Sequence, residues 1–206
     1  MLKVAITGNI GSGKSYVCAL FKTFGIAIFD SDLEAKRLYY REDIKAKMVD
    51  RFGPEIYLED GQLNRVQLAS LLFSDPEALA FVEGTLYPAL NAYFVRWAEQ
   101  QACPYVLYES ALIFEKGLKS FFDAVIVVTA SESTRIRRVR VRDHCTEAQV
   151  RTRMALQIAD SEKIREADYL VFHDQDDEDA FLMEQITSIH ASLSAQQGVG
   201  QSQSHQ

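Results

Sequence analysis

A glycine-rich motif near the N-terminus fits the pattern G-x-x-x-x-G-K-[ST] at every fixed position. Its residues are Gly8, Asn9, Ile10, Gly11, Ser12, Gly13, Lys14 and Ser15. The glycines let the backbone curl so that several N–H groups point at a polyphosphate. Lys14 brings a positive charge to the β- and γ-phosphates, and Ser15 offers a hydroxyl to Mg²⁺. The motif predicts a site for ATP or a similar nucleotide with Mg²⁺; the alternative is a chance glycine-rich turn.

Three carboxylates follow strand-like segments. Asp30 and Asp32 come directly after one apolar run, and Glu109 ends another. In an open parallel sheet, ligands lie beyond the carboxyl ends of the strands, which brings these groups near the γ-phosphate. Phosphoryl transfer to a hydroxyl needs one carboxylate to orient the acceptor and others to hold Mg²⁺, directly or through water. The alternatives are that Asp32 is only the N-cap of a helix beginning at Leu33, and that Glu109 is a solvated loop residue.

Five arginines occur within eight residues, in a chain whose net charge is −7. They are Arg135, Arg137, Arg138, Arg140 and Arg142. Residues 135, 138 and 142 share one face of a helix, whereas 137 and 140 are expected to point elsewhere. Arginine grips phosphates and stabilises charge on a transferring phosphoryl group. The cluster predicts a lid over the nucleotide; the alternative is a solvated helix face paired with nearby acids.

The elements that position these residues alternate along the chain. Short apolar runs are separated by segments of helical period, which predicts an α/β fold with a helix-covered parallel sheet of five strands. The runs are Leu2–Thr7, Ile26–Phe29, Tyr105–Tyr108, Ala124–Thr129 and Tyr169–Phe172. Residues 1–32, 102–131 and 166–194 are the predicted core, around an inserted helical lobe at 33–101 and a lid at 132–165.

Helix-end signals and the tail refine this division. Ser74 with Glu77, and Thr146 with Gln149, have the spacing of a capping box. Residues 195–206 are rich in Gln, Ser and Gly without apolar periodicity, so we expect this tail to be disordered.

Composition excludes several classes of protein. A net charge of −7 argues against non-specific nucleic-acid binding, and no apolar run is long enough to span a membrane. The three cysteines are far apart and form no C-x-x-C pair, which indicates free thiols in a reducing cytoplasm. We therefore expect a cytoplasmic protein with small-molecule partners, with no nucleic-acid or membrane partner, that is a monomer or a small homo-oligomer.

The ordered set of motifs resembles the dephospho-coenzyme A kinase family, from about Leu2 to Leu193. Besides the glycine-rich loop and Asp30-Ser31-Asp32, several segments are similar to family motifs. These are Asp60-Gly61-Gln62-Leu63-Asn64-Arg65, Leu112-Ile113-Phe114-Glu115, Arg138 with Arg142 and Asp143, and Gln157, Glu162, Lys163, Ala167 and Asp168. The resemblance implies a three-layer P-loop kinase fold whose inserted lobe holds the acceptor.

The resemblance also implies roles for particular residues. Asp32 would orient the ribose 3′-hydroxyl of dephospho-coenzyme A or act as its base, and Lys14 and Arg138 would join it in catalysis. Arg138 and Arg142 would contact ATP phosphates, and Ser15 would bind Mg²⁺ with Asp30 behind a water. Arg65 would bind an acceptor phosphate, or it is a surface residue at a helix start.

The chain departs from the family at four places. Tyr16 replaces a usual Thr, Tyr87-Pro88 a His-Pro, and Glu109-Ser110-Ala111 a D-x-P; an Asn-x-Gly would fall at His173–Gln175. The resemblance implies that Tyr16 and His173 belong to the nucleotide site, and that Tyr87, Glu109 and Asp30 belong to the acceptor site. Two alternatives stay open: a nucleoside or nucleoside monophosphate kinase, and a nucleotide-binding regulatory module without turnover.

Overall fold

A computed structural model describes residues 1–174 and 179–201. Five parallel strands in this part of the chain form one sheet, in the order β2-β3-β1-β4-β5. The strands are β1 (Leu2–Thr7), β2 (Ala27–Asp30), β3 (Tyr105–Glu109), β4 (Ala124–Thr129) and β5 (Tyr169–Phe172). The predicted five-stranded parallel sheet is confirmed, although β2 and β3 each end one residue later than predicted.

The helices fill the segments between the strands. They are α1 (Lys14–Thr23), α2 (Ser31–Leu38), α3 (Glu42–Phe52), α4 (Arg65–Ser74), α5 (Pro76–Glu99), α6 (Glu132–Asp143), α7 (Glu147–Met154), α8 (Asp160–Glu166) and α9 (Asp179–Gln201). Short 3-10 turns occur at Pro54–Ile56 and Lys119–Phe121. Within the described residues, none of these helices has both the length and the apolar character needed to cross a membrane.

Chain contacts divide the protein into two compact units. Unit 1 comprises Met1–Asp30 and the described residues from Gln100 onward, and unit 2 comprises Ser31–Glu99. Unit 1 contains the sheet together with α1 and α6 to α9, whereas unit 2 is helical. The inserted helical segment predicted from the sequence corresponds to unit 2 within two residues at either end.

The core of unit 1 is built on the central strand β1. Its residues Val4, Ala5 and Ile6 are fully buried between β3 and β4, as expected for a strand covered on both faces. Helices α1 and α9 pack together, and their buried residues join those of the sheet in one apolar cluster. Because β1 lies between strands that come much later in the chain, the loop after β1 opens at a switch point of the sheet, where ligands bind in such folds.

Unit 2 is organised around α5, its longest helix. Every fourth residue of α5 is buried, which forms one apolar stripe along the helix: Ala78, Val82, Leu86, Leu90, Phe94 and Ala98. Helices α2, α3 and α4 contact α5. The stripe therefore supplies the surface on which the shorter helices of unit 2 assemble.

Helix ends test three of the predictions. Thr146 and Gln149 form the expected capping box at the start of α7. The box at Ser74 is wrong: Ser74 is the last residue of α4, and Asp75 instead accepts a hydrogen bond from the backbone N–H of Glu77. The predicted disorder from residue 195 is also wrong as far as Gln201, because α9 continues to that residue. The rest of the predicted tail, 202–206, lies outside the described residues.

Candidate active site

The phosphate loop, residues 8–15, joins β1 to α1 and needs glycine at two close contacts. Gly11 and Gly13 have φ angles of 81° and 91°, a left-handed region that residues with side chains disfavour. A Cβ atom on Gly11 would lie 2.6 Å from the carbonyl oxygen of Arg135. A Cβ atom on Gly13 would lie 2.2 Å from Nδ1 of His173. Glycine is therefore required at both positions, because the φ angles are positive and because Arg135 and His173 leave no room for a side chain.

Lys14 and Ser15 begin α1, whose N-cap is Gly13. The first N–H groups of a helix lack partners within it and attract anions. Lys14 Nζ donates a hydrogen bond to the carbonyl oxygen of Gly8 at 3.0 Å, which folds the side chain over the loop. Ser15 Oγ donates to Oε1 of Glu109 at 2.7 Å. The loop thus presents backbone donors, an ammonium group and a hydroxyl on one side.

Carboxylates collect at the edge of the sheet next to Ser15. Asp30 ends β2 and is the register partner of Glu109, which ends β3. Side chains of register partners point to the same face of a sheet. Burial raises the pKa of the Cys18 thiol on α1, and the adjacent Glu109 carboxylate raises it further, consistent with Glu109 lying against α1.

This donor set fits Mg²⁺. The ion prefers oxygen ligands, keeps several waters, and usually takes one or two protein carboxylates together with substrate phosphates. Ser15, Glu109 and Asp30 supply such oxygens at one edge of the sheet. In residues 1–174 and 179–201, no cluster of three or more His, Cys, Asp or Glu side chains could hold a metal alone.

Asp32 belongs to unit 2 and is exposed in the first turn of α2. Because α2 begins at Ser31, Asp32 is not its N-cap, so that alternative is wrong. The chain passes from Asp30, the last residue of β2, into this turn with no intervening loop. The role of Asp32 toward an acceptor stays a prediction.

The arginines of α6 have different environments. Arg138 Nη1 donates to the carbonyl oxygens of His173 at 2.8 Å and Gly11 at 3.5 Å, so its guanidinium lies beside the phosphate loop. Arg135 is 5% exposed and forms an ion pair with Asp160. Residues 135, 138 and 142 keep their helical spacing within α6. The expectation that Arg137 points elsewhere is wrong, because Arg137 lines the cleft described below.

Arg142 lies near the end of α6 and is held by its neighbour. Its Nε and Nη2 donate to the two carboxylate oxygens of Asp143 at 2.7 and 3.1 Å. Arg153 of α7 donates to the same carboxylate at 2.6 Å. The hydrogen bonds from Arg142 and Arg153 lower the pKa of Asp143 to about 2. The arrangement partly fits the alternative of arginines paired with nearby acids, but Arg142 also lines the cleft.

An aromatic pair flanks the loop on its outer side. The rings of Tyr16 and His173 stack with centroids 5.2 Å apart and an interplanar angle of 13°. His173 is buried directly after β5, and Tyr16 is exposed on α1. Asp174, the next residue, accepts a hydrogen bond from the backbone N–H of Ser131. Hydrogen bonding from the Ser131 side chain, together with this backbone bond, lowers the pKa of Asp174. The start of α6 is therefore tied to the segment that carries His173; Gln175, in the predicted Asn-x-Gly position, lies outside the described residues.

The loop, Tyr16 and the α6 arginines enclose a cleft of about 750 Å³. Its lining includes Gly11, Lys14, Ser15, Tyr16, Arg137, Arg138, Arg142 and Gln157. This volume lies within the range of pockets that take small molecules and cofactors. Of the predicted nucleotide-site residues, only Gly8, Ser12 and His173 are not among those that line the cleft.

Sequence reasoning missed the polar contacts behind the loop. Gln157 Oε1 accepts a hydrogen bond from the backbone N–H of Ile10 at 2.9 Å. Asn9 Nδ2 donates to the carbonyl oxygen of Ile158 and to Oδ1 of Asp160, each at 2.9 Å. Asn9 occupies a variable position of the glycine-rich motif, so nothing in that motif marks it. Gln157 stood among the family-like residues, but without a role.

Besides Asp32 on α2, two further predicted acceptor residues lie in unit 2, on α4 and α5. Arg65 is the first residue of α4 and is exposed. Tyr87 is half-buried in α5, one residue before Pro88. Burial raises the pKa of Tyr39 to about 12, with smaller contributions from the hydroxyls of Tyr57 and Tyr87. Tyr87 thus belongs to a tyrosine cluster within unit 2, and its contact with an acceptor stays a prediction.

The sequence model of one family, described as dephospho-CoA kinase, matches residues 2–179. The chain belongs to the dephospho-CoA kinase family. The dephospho-CoA kinase of Syntrophotalea carbinolica is 36% identical over 176 residues, which cover 83% of each chain. That of Vibrio vulnificus is 32% identical over 191 residues, covering 92% of this chain and 94% of its own. The family predicted from the ordered motifs is confirmed, and members of this family are ATP-dependent kinases.

Solved structures show the same fold. The Thermus thermophilus protein TT1252 is 32% identical, with a TM-score of 0.78 over 94% of this chain and 97% of its own. A dephospho-CoA kinase from Campylobacter jejuni has a TM-score of 0.67 at 20% identity over 94% of this chain and 97% of its own. A shikimate kinase from Bacteroides thetaiotaomicron has a TM-score of 0.52 at 12% identity, covering 93% and 98%. The predicted P-loop kinase fold is therefore confirmed.

Proposed function

We propose that this chain transfers the γ-phosphoryl group of ATP to the ribose 3′-hydroxyl of dephospho-coenzyme A, the last step of coenzyme A synthesis. The observation that carries the proposal is the dephospho-CoA kinase family match over residues 2–179. The folded phosphate loop supports it, because Lys14, Ser15 and Arg138 all border one cleft. The acceptor identity rests on the family, and the phosphate chemistry rests on the site.

The phosphate loop holds the donor. The amide groups of the loop and of the first turn of α1 face the polyphosphate, and the helix N-terminus adds partial positive charge. Lys14 exchanges its hydrogen bond with the Gly8 carbonyl for one with the β- and γ-phosphates. Tyr16 and His173, whose rings stack, contact the nucleotide beside the loop. These contacts orient the γ-phosphoryl group toward the acceptor.

Ser15, Glu109 and Asp30 are the residues that would hold Mg²⁺. Ser15 offers its hydroxyl oxygen and Asp30 its carboxylate through water, while Glu109 keeps the Ser15 hydroxyl oriented. When bound, the ion neutralises charge on the phosphates. Glu109 therefore acts on the metal side in this proposal, in addition to its predicted place at the acceptor site.

Asp32 orients the acceptor hydroxyl and accepts its proton as the new bond to phosphorus forms. Since phosphoryl transfer passes through a loose transition state, positioning matters more than early proton removal. Arg138 and Arg142 neutralise the charge that spreads over the departing diphosphate. Arg65 and Tyr87 contact the acceptor from unit 2.

The reaction assigns the protein to the cytoplasm, where ATP and Mg²⁺ are present. Its three cysteines are free, as expected for a reducing compartment. Its partners are the small molecules ATP and dephospho-coenzyme A, and a monomer or small homo-oligomer stays the expectation for its assembly.

A mass-resolved product assay tests the proposal. The protein is incubated with ATP, Mg²⁺ and dephospho-coenzyme A, and in parallel with adenosine or AMP as acceptor. We expect a product heavier by one phosphate with dephospho-coenzyme A alone, and none when Lys14→Ala replaces the wild type. A product with adenosine or AMP would favour the nucleoside or nucleoside monophosphate kinase. ATP binding without any product would favour the regulatory module.

A further inference from the structure

Residues 157–160, here called the return segment, comprise the end of the connection between α7 and α8 and the first residue of α8, and they contact the phosphate loop. Gln157 Oε1 accepts from Ile10 N, and Asn9 Nδ2 donates to Ile158 O and to Asp160 Oδ1. Asn9 is 4% exposed, so its side-chain bonds are shielded from water. The second and third residues of the loop are thus fixed by a segment about 150 positions away in the chain.

Asn9 also takes part in the turn of the loop. The carbonyl oxygen of Asn9 accepts a hydrogen bond from Ser12 N at 3.1 Å. Asn9 is therefore held from both sides: its side chain by the return segment, and its carbonyl by the turn that aims the following amides. Rotating the peptide between Asn9 and Ile10 would redirect the N–H groups that a phosphate must meet.

Two ion pairs anchor the return segment. Asp160 uses one carboxylate oxygen for Asn9 and the other for buried Arg135, whose backbone packs on Gly11. Lys163 is 0% exposed, and its Nζ lies 2.7 Å from Oε1 of Glu115. The first pair therefore holds the segment at Asp160, and the second lies next to it on α8.

Both members of the Lys163–Glu115 pair also form hydrogen bonds with the backbone. Glu115 Oε1 also accepts from the backbone N–H of Ile158 at 3.3 Å, and Lys163 Nζ donates to Ala111 O at 3.1 Å. Ala111 lies two residues after Glu109, the partner of Ser15. The pair thus links the return segment to the chain that carries the carboxylate beside Ser15.

Stability alone does not explain these groups. A buried ion pair typically adds little compared with well-packed apolar residues, because removing both charges from water is costly. What this pair does provide is a fixed geometry, since Lys163 and Glu115 are each tied to a defined backbone atom. Through the return segment, these contacts lead to Asn9 and Ile10 of the phosphate loop.

We propose that Gln157 and Asp160 are positioning residues for the phosphate loop, held in place by the buried Lys163–Glu115 pair. Gln157 also lines the cleft, but its proposed role is toward the loop backbone and not toward the base or the acceptor. They orient the Asn9–Ile10 peptide so that the following amides converge on a polyphosphate. Any effect of these residues on turnover rests on the proposed function. Their effect on the loop does not, because polyphosphate binding measures it directly.

The test compares Gln157→Met with wild type in binding inorganic tripolyphosphate and ATP. Methionine keeps the length of the side chain and removes the acceptor for Ile10 N. We expect both dissociation constants to rise by about tenfold, the factor that corresponds to about 1.4 kcal/mol. The same factor for both ligands is expected because tripolyphosphate has no base or ribose. The Ile10 amide should also exchange its hydrogen at least about tenfold faster in the free protein.

Gln149→Met is the matched control. Gln149 lies in the neighbouring helix α7 and makes its hydrogen bonds to Thr146, not to the loop. The Gln149→Met substitution should weaken the cap of α7 and leave tripolyphosphate binding unchanged. If Gln157→Met does not fold, Gln157→Asn withdraws the acceptor oxygen from Ile10 and carries the same expectation.

Three outcomes would overturn the proposal. These are unchanged tripolyphosphate binding in the Gln157 variants, a loss confined to ATP, and an equal loss in Gln149→Met. Failure of the proposed function looks different: wild-type protein would bind tripolyphosphate and ATP but give no product with dephospho-coenzyme A.

Discussion

Single residues near the phosphate loop divide into those that are proposed to bind the donor and one that is proposed to orient the acceptor. Lys14, Ser15 and Arg138 border the nucleotide cleft of unit 1. Asp32 lies in unit 2, in the first turn of α2. Substitutions on the two sides should therefore change different kinetic constants.

Asp32→Asn should lower kcat by about 100-fold or more and leave the dissociation constant for ATP nearly unchanged. The substitution keeps the size of the side chain but removes the charge that orients the acceptor hydroxyl and takes its proton. Steady-state kinetics and equilibrium ATP binding measure the two effects separately. Asp50→Asn, at an exposed position of α3 in the same unit, is the control. Equal losses in kcat and in ATP binding would contradict the role assigned to Asp32.

Asp143 gives a prediction about pH. Its pKa is lowered to about 2 by the hydrogen bonds from Arg142 and Arg153, below the value of about 3.9 for a free aspartate. A group with a lowered pKa stabilises the folded state above its unfolded pKa, and that contribution is lost as pH falls through the folded pKa.

The difference in unfolding free energy between wild type and Asp143→Asn should therefore be constant above about pH 5 and shrink between about pH 4 and 2. Urea unfolding at pH 7, 5, 3 and 2 measures it. A difference that already varies between pH 5 and 7 would mean that Asp143 is not held in its ionised state by the two arginines.

At the level of elements, the excursion between β4 and β5 depends on short helices with well-defined ends. Helix α7 has only eight residues, and isolated helices of that length are unstable in water. Its start is fixed by the reciprocal bonds between Thr146 and Gln149, and Val150 is buried against α6. The capping box and the apolar contacts of Val150 therefore stabilise this helix.

Thr146→Ala should lower the free energy of unfolding by about 1 kcal/mol, the usual effect of losing an N-cap side chain. Chemical denaturation measures the change. Thr152→Ala is the matched control, because Thr152 lies inside the same helix and bonds only to the carbonyl oxygen one turn earlier. Alanine is favourable at such a position, so the control should change stability by less than about 0.5 kcal/mol. Equal effects at 146 and 152 would refute the cap.

On the scale of the whole molecule, ligand binding should be coupled to folding. The phosphate loop bonds to Glu109 at the end of β3, to α6 and to the return segment, so filling it should stabilise much of unit 1. A ligand that binds only the folded state adds about 2.7 kcal/mol of stability at 100 times its dissociation constant.

MgATP should therefore raise the unfolding temperature of wild type and of Asp32→Asn alike, and it should leave Lys14→Ala unchanged at the same concentration. Differential scanning calorimetry with and without MgATP measures the shift. AMP, which lacks the β- and γ-phosphates, should give little stabilisation. A full shift in Lys14→Ala would show that the loop lysine is not needed to hold the phosphates.

The five-stranded sheet, the phosphate loop and the family can all be predicted from the sequence. Continuous apolar runs are visible one strand at a time, and the glycine-lysine-serine spacing is local, so both can be read without tertiary information. The order of the motifs along the chain predicted the family correctly. The capping box at Thr146 is local in the same way and was predicted correctly.

The tertiary structure decided what packs against the loop. Gln157 and Asp160 lie about 150 residues beyond Asn9 in the chain, and only folding brings them within 2.9 Å of the loop. The burial of Arg135 against Asp160 depends in the same way on the packing of α6 beside α8, which helical spacing cannot show. Distant polar contacts arise from the arrangement of elements, and a single sequence carries no local signal for them.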